Sequence, residues 1–90
     1  MLECKIKICN PLGLHARAAA QLVRLAGTFH STIKLTRSDN QVVADAKSIL
    51  SVLTLAAAKG VELKISVEGT DEPEAIQAIE EIFKNGFGEI

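Results

Sequence analysis

The chain reads as an α+β protein in the order β-α-β-β-α-β-α, and three observations point to it. Four short runs alternate apolar with polar residues, the period of a half-buried strand. Three other runs carry apolar residues at helical spacing. Glycine, proline or a Ser/Asp/Asn cluster punctuates most of the joins between runs, where turns belong. Since every strand has one apolar and one polar face, helices should cover one side of the sheet and water the other.

Leu2, Cys4, Ile6 and Ile8 alternate with Glu3, Lys5 and Lys7 as the first strand. An alanine-rich helix follows from Ala16 to Ala26, with Ala19, Leu22, Val23 and Ala26 on one face and Gly27 as a stop. Ser31 to Arg37 alternates through Ile33 and Leu35. Ser38-Asp39-Asn40 makes a turn, and Gln41 to Ala46 returns with Val42, Ala44 and Ala46 facing one way, which predicts an antiparallel hairpin. Ser48 opens a second helical run whose periodicity alone reaches Lys59, just before Gly60. Val61, Leu63, Ile65 and Val67 alternate as the last strand. Asp71 is expected to cap a final helix, with Glu74 at capping-box spacing. Ala75, Ile76, Ile79, Ile82 and Phe83 form its buried stripe, and Gly86 suits the left-handed position at its end.

Ninety residues suffice for one domain, residues 1–90, around one core, and 48% hydrophobic content is that of a globular chain. A net charge of −1 leaves no footprint for nucleic acid or an anionic membrane. With three aromatics, all phenylalanine, the stacking platforms used on single strands are missing too. The charged start, Met1-Leu2-Glu3-Cys4-Lys5, lacks the apolar region of a signal peptide. The longest apolar stretch, Ile49 to Ala58, is interrupted by Ser51 and Thr54 and is too short to span a bilayer. A cytoplasmic location is therefore expected. Cys4 and Cys9 fall on opposite faces of a strand and cannot pair there, and their spacing is no metal or redox motif. Cys4 reads as a small core hydrophobe. Cys9 borders the turn described next, with nothing in sequence to activate it.

Chemistry concentrates in Asn10-Pro11-Leu12-Gly13-Leu14-His15-Ala16-Arg17-Ala18-Ala19. Pro11 and Gly13 make the turn, and His15 falls at or beside the helix N-cap, where the first N–H groups have no intrahelical acceptor. Those donors and the helix dipole suit an anion, phosphate above all. The same field disfavours imidazolium, so a neutral, nucleophilic His15 is expected. Arg17 can set a guanidinium beside a phosphoryl group on that ring. Taken alone, His15 is explained as well by a surface histidine near a helix start. His30 has no acid or cysteine patterned around it and reads as a solvated turn residue.

The run Gly13-Leu14-His15-Ala16-Arg17-Ala18-Ala19 is joined in register by Ala46-Lys47-Ser48-Ile49-Leu50 and Ala58-Lys59-Gly60. Over nearly its whole length the chain resembles the histidine-containing phosphocarrier (HPr) family of bacterial phosphotransferase systems. That resemblance implies an open-faced β-sandwich, a four-stranded antiparallel sheet with three helices on one face. It also implies that the second helix fails near Thr54 or Leu55. By resemblance, His15 accepts a phosphoryl group on Nδ1 from enzyme I and passes it to an enzyme IIA domain. The N–H groups of Ala16 and Arg17 would cradle the phosphoryl oxygens while the Arg17 side chain offsets their charge. The reading calls for no cofactor and no metal. The family usually has proline where this chain has Ala18; its loss is expected to cost roughly 0.4–1 kcal/mol without removing a reacting group.

Ser48 is a favoured N-cap, worth about 1 kcal/mol, and by resemblance the serine that an HPr kinase/phosphorylase modifies in some bacteria. Ile49, Leu50, Val52, Leu53 and Leu55 are too many for one short helix to hide. The resemblance puts Ile49, Leu50 and Leu53 in a partner-docking patch, rimmed by Lys47 and Arg24. A monomer is expected. Three readings stay open. Ser48 points to the sugar-uptake branch of the family, whereas Asn10 and the Asn85-Gly86-Phe87-Gly88 tail look like the nitrogen-related branch with regulatory partners. A small-molecule-binding regulatory module is the third. A histidine hydrolase is disfavoured, because no carboxylate stands near the motif in sequence to activate water.

Overall fold

Leu63, Ile65 and Val67 are fully buried, and the strand that carries them, β4 (Glu62–Glu68), pairs on both edges. A computed structural model describes residues 1–89. In it β1 (Leu2–Lys7) lies antiparallel on one side of β4, and β2 (Thr32–Arg37) on the other, with β3 (Val43–Asp45) beyond it. The sheet is thus four-stranded and antiparallel, ordered β1-β4-β2-β3. Register lines up Cys4, Ile65, Leu35 and Ala44 across all four strands. The next row, Lys5, Lys64, Thr36 and Val43, faces the other way because side chains alternate along a strand. One face is apolar and the other wet, as the alternation predicts.

The helices α1 (Ala16–Ala26), α2 (Ile49–Thr54) and α3 (Glu72–Lys84) cover the apolar face. Leu22 from α1, Val52 from α2, and Ile79 and Phe83 from α3 meet the strand residues in one core. Burying side chains of this size stabilises by about 1.5–3 kcal/mol each. Cys4 joins that core from its edge, and burial pushes its thiol up, with Glu80 adding to the effect.

Three expectations meet local chemistry that the sequence hides. The return strand begins at Val43 because Gln41 takes a left-handed backbone, φ 61, which leaves Val42 39% exposed and outside the ladder; only Ala44 and Ala46 point inward. The second helix stops at Thr54, where the resemblance places its end, although its periodicity runs on. Arg37 reaches over from β2 and donates to the carbonyls of Leu55 at 2.7 Å and Ala56 at 3.2 Å, taking up the acceptors a longer helix would use. The capping box at the third helix does not form. Asp71 stands at the N-cap, yet its carboxylate accepts from the N–H groups of His30 and Ser31 at 2.8 and 2.9 Å and from the Ser31 hydroxyl. Two backbone donors and a hydroxyl outcompete one N–H of its own helix. Those bonds, the Ser31 hydroxyl first, hold the Asp71 carboxyl down at about 2. No helix among the described residues is long and apolar enough to cross a membrane.

Candidate functional site

The turn before α1 is held from inside. Asn10 is fully buried; its Nδ2 donates to the Gly13 carbonyl at 2.8 Å, while the Gly13 N–H donates back to the Asn10 carbonyl at 3.2 Å. Asn10 Oδ1 has no partner among the described residues. Gly13 takes φ 67, and the Leu14 N–H then donates to the Ala57 carbonyl at 2.8 Å, so the turn is pinned to the segment following α2. Leu14 is buried and anchors it.

His15 follows as the N-cap of α1, with extended backbone and no capping bond from its side chain. The first intrahelical bond runs from the Ala19 N–H to the His15 carbonyl at 2.8 Å. The N–H groups of Ala16 and Arg17 precede it and stay available, as expected for a first turn. Arg17 is exposed, and its guanidinium makes no ion pair or hydrogen bond among the described residues. Ala18, where the family's proline would stand, is fully buried.

One feature revises the sequence reading. A carboxylate does stand at the motif: Glu89 Oε2 lies 2.5 Å from His15 Nε2, and Glu89 Oε1 accepts from the Leu12 N–H at 3.3 Å. The bond from His15 holds the Glu89 carboxyl below the usual glutamate range, with smaller contributions from the Leu12 N–H and the Asn10 side chain. Nδ1 of His15 has no partner among the described residues. Glu89 is 74 residues away in sequence, so no motif could include it. The sequence reading assigns the turn to Pro11 and Gly13, and the buried role of Asn10 in it was not foreseen.

Ser48 is the N-cap of α2, and its hydroxyl accepts from the Ser51 N–H at 3.3 Å. Of the crowded apolar run, Val52 and Leu55 are buried, while Ile49, Leu50 and Leu53 are 40%, 75% and 36% exposed. Leu12, in the His15 turn, is 67% exposed. Arg24 is solvated. Lys47 is not a free cation: its Nζ donates to the Phe29 carbonyl at 2.7 Å, past the end of α1. Cys9 donates its thiol to the Phe83 carbonyl at 3.3 Å, a structural contact. His30 is exposed and contributes only its N–H to Asp71.

An open antiparallel sheet that sets a half-exposed histidine at the first turn of a helix defines a class, and comparison with known proteins identifies it. Residues 2–85 match the family described as PTS HPr component phosphorylation site. The chain is 47% identical over 89 residues to phosphocarrier protein HPr of Cupriavidus necator, covering 99% of this chain and 98% of that protein. It is 45% identical over 89 residues to phosphocarrier protein HPr of Pseudomonas aeruginosa, at the same coverage. The crystal structure of HPr-C-His from Thermoanaerobacter tengcongensis superimposes with a TM-score of 0.92 at 40% identity, over 100% of this chain and 99% of that one. In class this is a phosphocarrier of the phosphotransferase system. The chain belongs to the HPr family.

Proposed function

We propose that the chain relays phosphoryl groups through His15, from phosphorylated enzyme I to enzyme IIA domains, in the service of sugar uptake. The observation that carries this reading is the setting of His15: partly exposed, at the N-cap of an eleven-residue helix, with neither its Nδ1 nor the Arg17 guanidinium two residues on partnered among the described residues. Nδ1 attacks phosphorus, the N–H groups of Ala16 and Arg17 receive the phosphoryl oxygens, and the Arg17 guanidinium offsets their charge. The whole chain acts as one unit and as a monomer. Ile49, Leu50 and Leu53 form the docking surface with Leu12; Arg24 rims it. Ser48, in the same stretch, is the point at which a kinase would regulate docking.

The nitrogen-related branch is the second reading, supported by the likeness of Asn10 and the Asn85-Gly86-Phe87-Gly88 segment to that branch. Assaying which enzyme IIA proteins receive phosphate from the chain separates the two. The carrier reading itself is tested by incubation with enzyme I and phosphoenolpyruvate. One acid-labile, base-stable phosphoryl group should appear on His15 and none on a folded His15→Ala chain. Phosphate mapped to His30, or none at all, overturns it.

A further inference from the structure

We infer that Glu89 is a positioning residue for His15: its carboxylate holds the imidazole as the Nε2–H tautomer, which makes Nδ1 the nitrogen that attacks phosphorus. The inference rests on the carrier reading and deepens it. An ionised carboxylate can only accept, so the proton in the 2.5 Å contact belongs to Nε2. A neutral ring with a proton on Nε2 has its lone pair on Nδ1. Glu89 lies on the Nε2 side, so a phosphoryl group on Nδ1 does not displace it.

The tail is shaped to make this contact. Gly86, Phe87 and Gly88 have φ of 60, 54 and 79, one left-handed turn. It is closed by the Gly88 N–H on the Asn85 carbonyl at 3.2 Å and the Glu89 N–H on the Gly86 carbonyl at 2.9 Å. Glycine adopts such a backbone freely, whereas phenylalanine does so only when its surroundings hold it there. Phe87 is held: it is buried, with its ring edge-on to Phe83 at 5.1 Å. The turn reverses the chain after α3 and carries Glu89 back to the His15 turn. There the side chain is engaged at two points, His15 and the Leu12 N–H, and is only 14% exposed. A surface ion pair formed by chance has neither the anchor nor the second bond.

In the transfer, the Nδ1 lone pair forms a new N–P bond while the P–N bond of the donor's phosphohistidine breaks and its electron pair returns to the donor ring. The Nε2 proton stays in place. The phosphorylated ring then carries one positive charge beside the Glu89 carboxylate, and onward transfer reverses the step.

The test uses the full chain labelled with 15N-histidine. Wild type should show an Nε2-bound proton resonance, shifted downfield and slow to exchange, and Glu89→Ala should lose it. Phosphoramidate, a small P–N donor that needs no docking, should phosphorylate Glu89→Ala about tenfold more slowly, the lower end for loss of a partner that orients a histidine. Glu89→Gln keeps an acceptor oxygen without the charge; it should keep the resonance and recover only part of the rate. Gly88→Ala meets no atom of the described residues within 4 Å but strains the turn at φ +79, and should behave as a milder Glu89→Ala. An unchanged rate in Glu89→Ala overturns the positioning role whether or not the resonance survives, and a faster rate recasts Glu89 as a block. A wild-type chain that accepts no phosphoryl group overturns the carrier reading instead, and the resonance alone then upholds or overturns the tautomer.

Discussion

Gly13 presses against Ala57 so closely that a β-carbon on it would stand 2.5 Å from the Ala57 carbonyl oxygen and 2.8 Å from the Ala58 α-carbon. Both are backbone atoms and cannot rotate aside. The residue is also left-handed, at φ +67, which a side chain disfavours. Gly13→Ala should therefore lose roughly 2–4 kcal/mol in urea unfolding, from strain and overpacking together. The Leu14–Ala57 bond should open with it, so phosphorylation of His15 should slow beyond what the lost stability explains.

Arg17 is exposed and makes no ion pair or hydrogen bond among the described residues, so Arg17→Ala should melt within about 0.5 kcal/mol of wild type. Its transfer to and from His15 should be markedly slower, since its partner is the transient phosphoryl group. Arg17→Lys should recover only part, lacking the planar fork. Wild-type rates in Arg17→Ala would leave the backbone N–H groups as the sufficient cradle.

The two docking leucines should part company on stability. Leu50 is 75% exposed and Leu53 36%, so Leu50→Asp should scarcely change the melting temperature while Leu53→Asp lowers it modestly. Both should weaken enzyme I binding in titration calorimetry. Unfolding by either substitution would make that leucine part of the core.

Ser48 separates cap from switch. Ser48→Ala removes the bond to the Ser51 N–H and should cost about 1 kcal/mol with near-normal transfer. Ser48→Asp keeps a capping oxygen and should keep its melting temperature, yet place charge beside Ile49 and Leu50. Desolvating that charge on docking is costly, so acceptance from enzyme I should slow, in part recoverable by salt. Normal transfer in Ser48→Asp at low salt would leave Ser48 a cap alone.

Asp71 gives the chain an acid limb. Its carboxyl falls from an ordinary 3.8 to about 2 in the fold. Between those values the unfolded chain binds more protons than the folded one, so stability rises with pH there. The contribution of Asp71 is fully present above pH about 4 and lost as pH falls through about 2. Urea midpoints measured from pH 5 to 2 should fall, and Asp71→Asn should flatten part of that slope. Asp39, Glu72 and Glu89 are shifted the same way and contribute to the remainder.

The order of elements, the inward faces of Ile33, Leu35, Leu63, Ile65 and Val67, and His15 at a helix start were all legible in sequence. Each depends on contacts within a few residues: a period of two or 3.6, a turn at Pro11 to Gly13, an N-cap at Ser48. That part of the apolar run at the second helix stays exposed was legible as well, because one short helix cannot bury five large apolar residues; which of them do so came from the resemblance.

What sequence could not carry is where long-range hydrogen bonds settle. Asp71 has the spacing of a capping box, but the fold brings Ser31 and the His30 N–H to its carboxylate, and those bonds win. The second helix ends at Thr54, and Arg37, brought across by strand pairing, takes the Leu55 and Ala56 carbonyls that a longer helix would use. Glu89 reaches His15 through a left-handed turn in which Phe87 is held by its packing on Phe83. Local patterns record which residues must be buried, and that sufficed for the order of elements; the role of His15 was read from the motif and the resemblance it carries. The partner of a polar group depends on which chain segments arrive beside it, and that was decided only when the sheet and helices closed around their core.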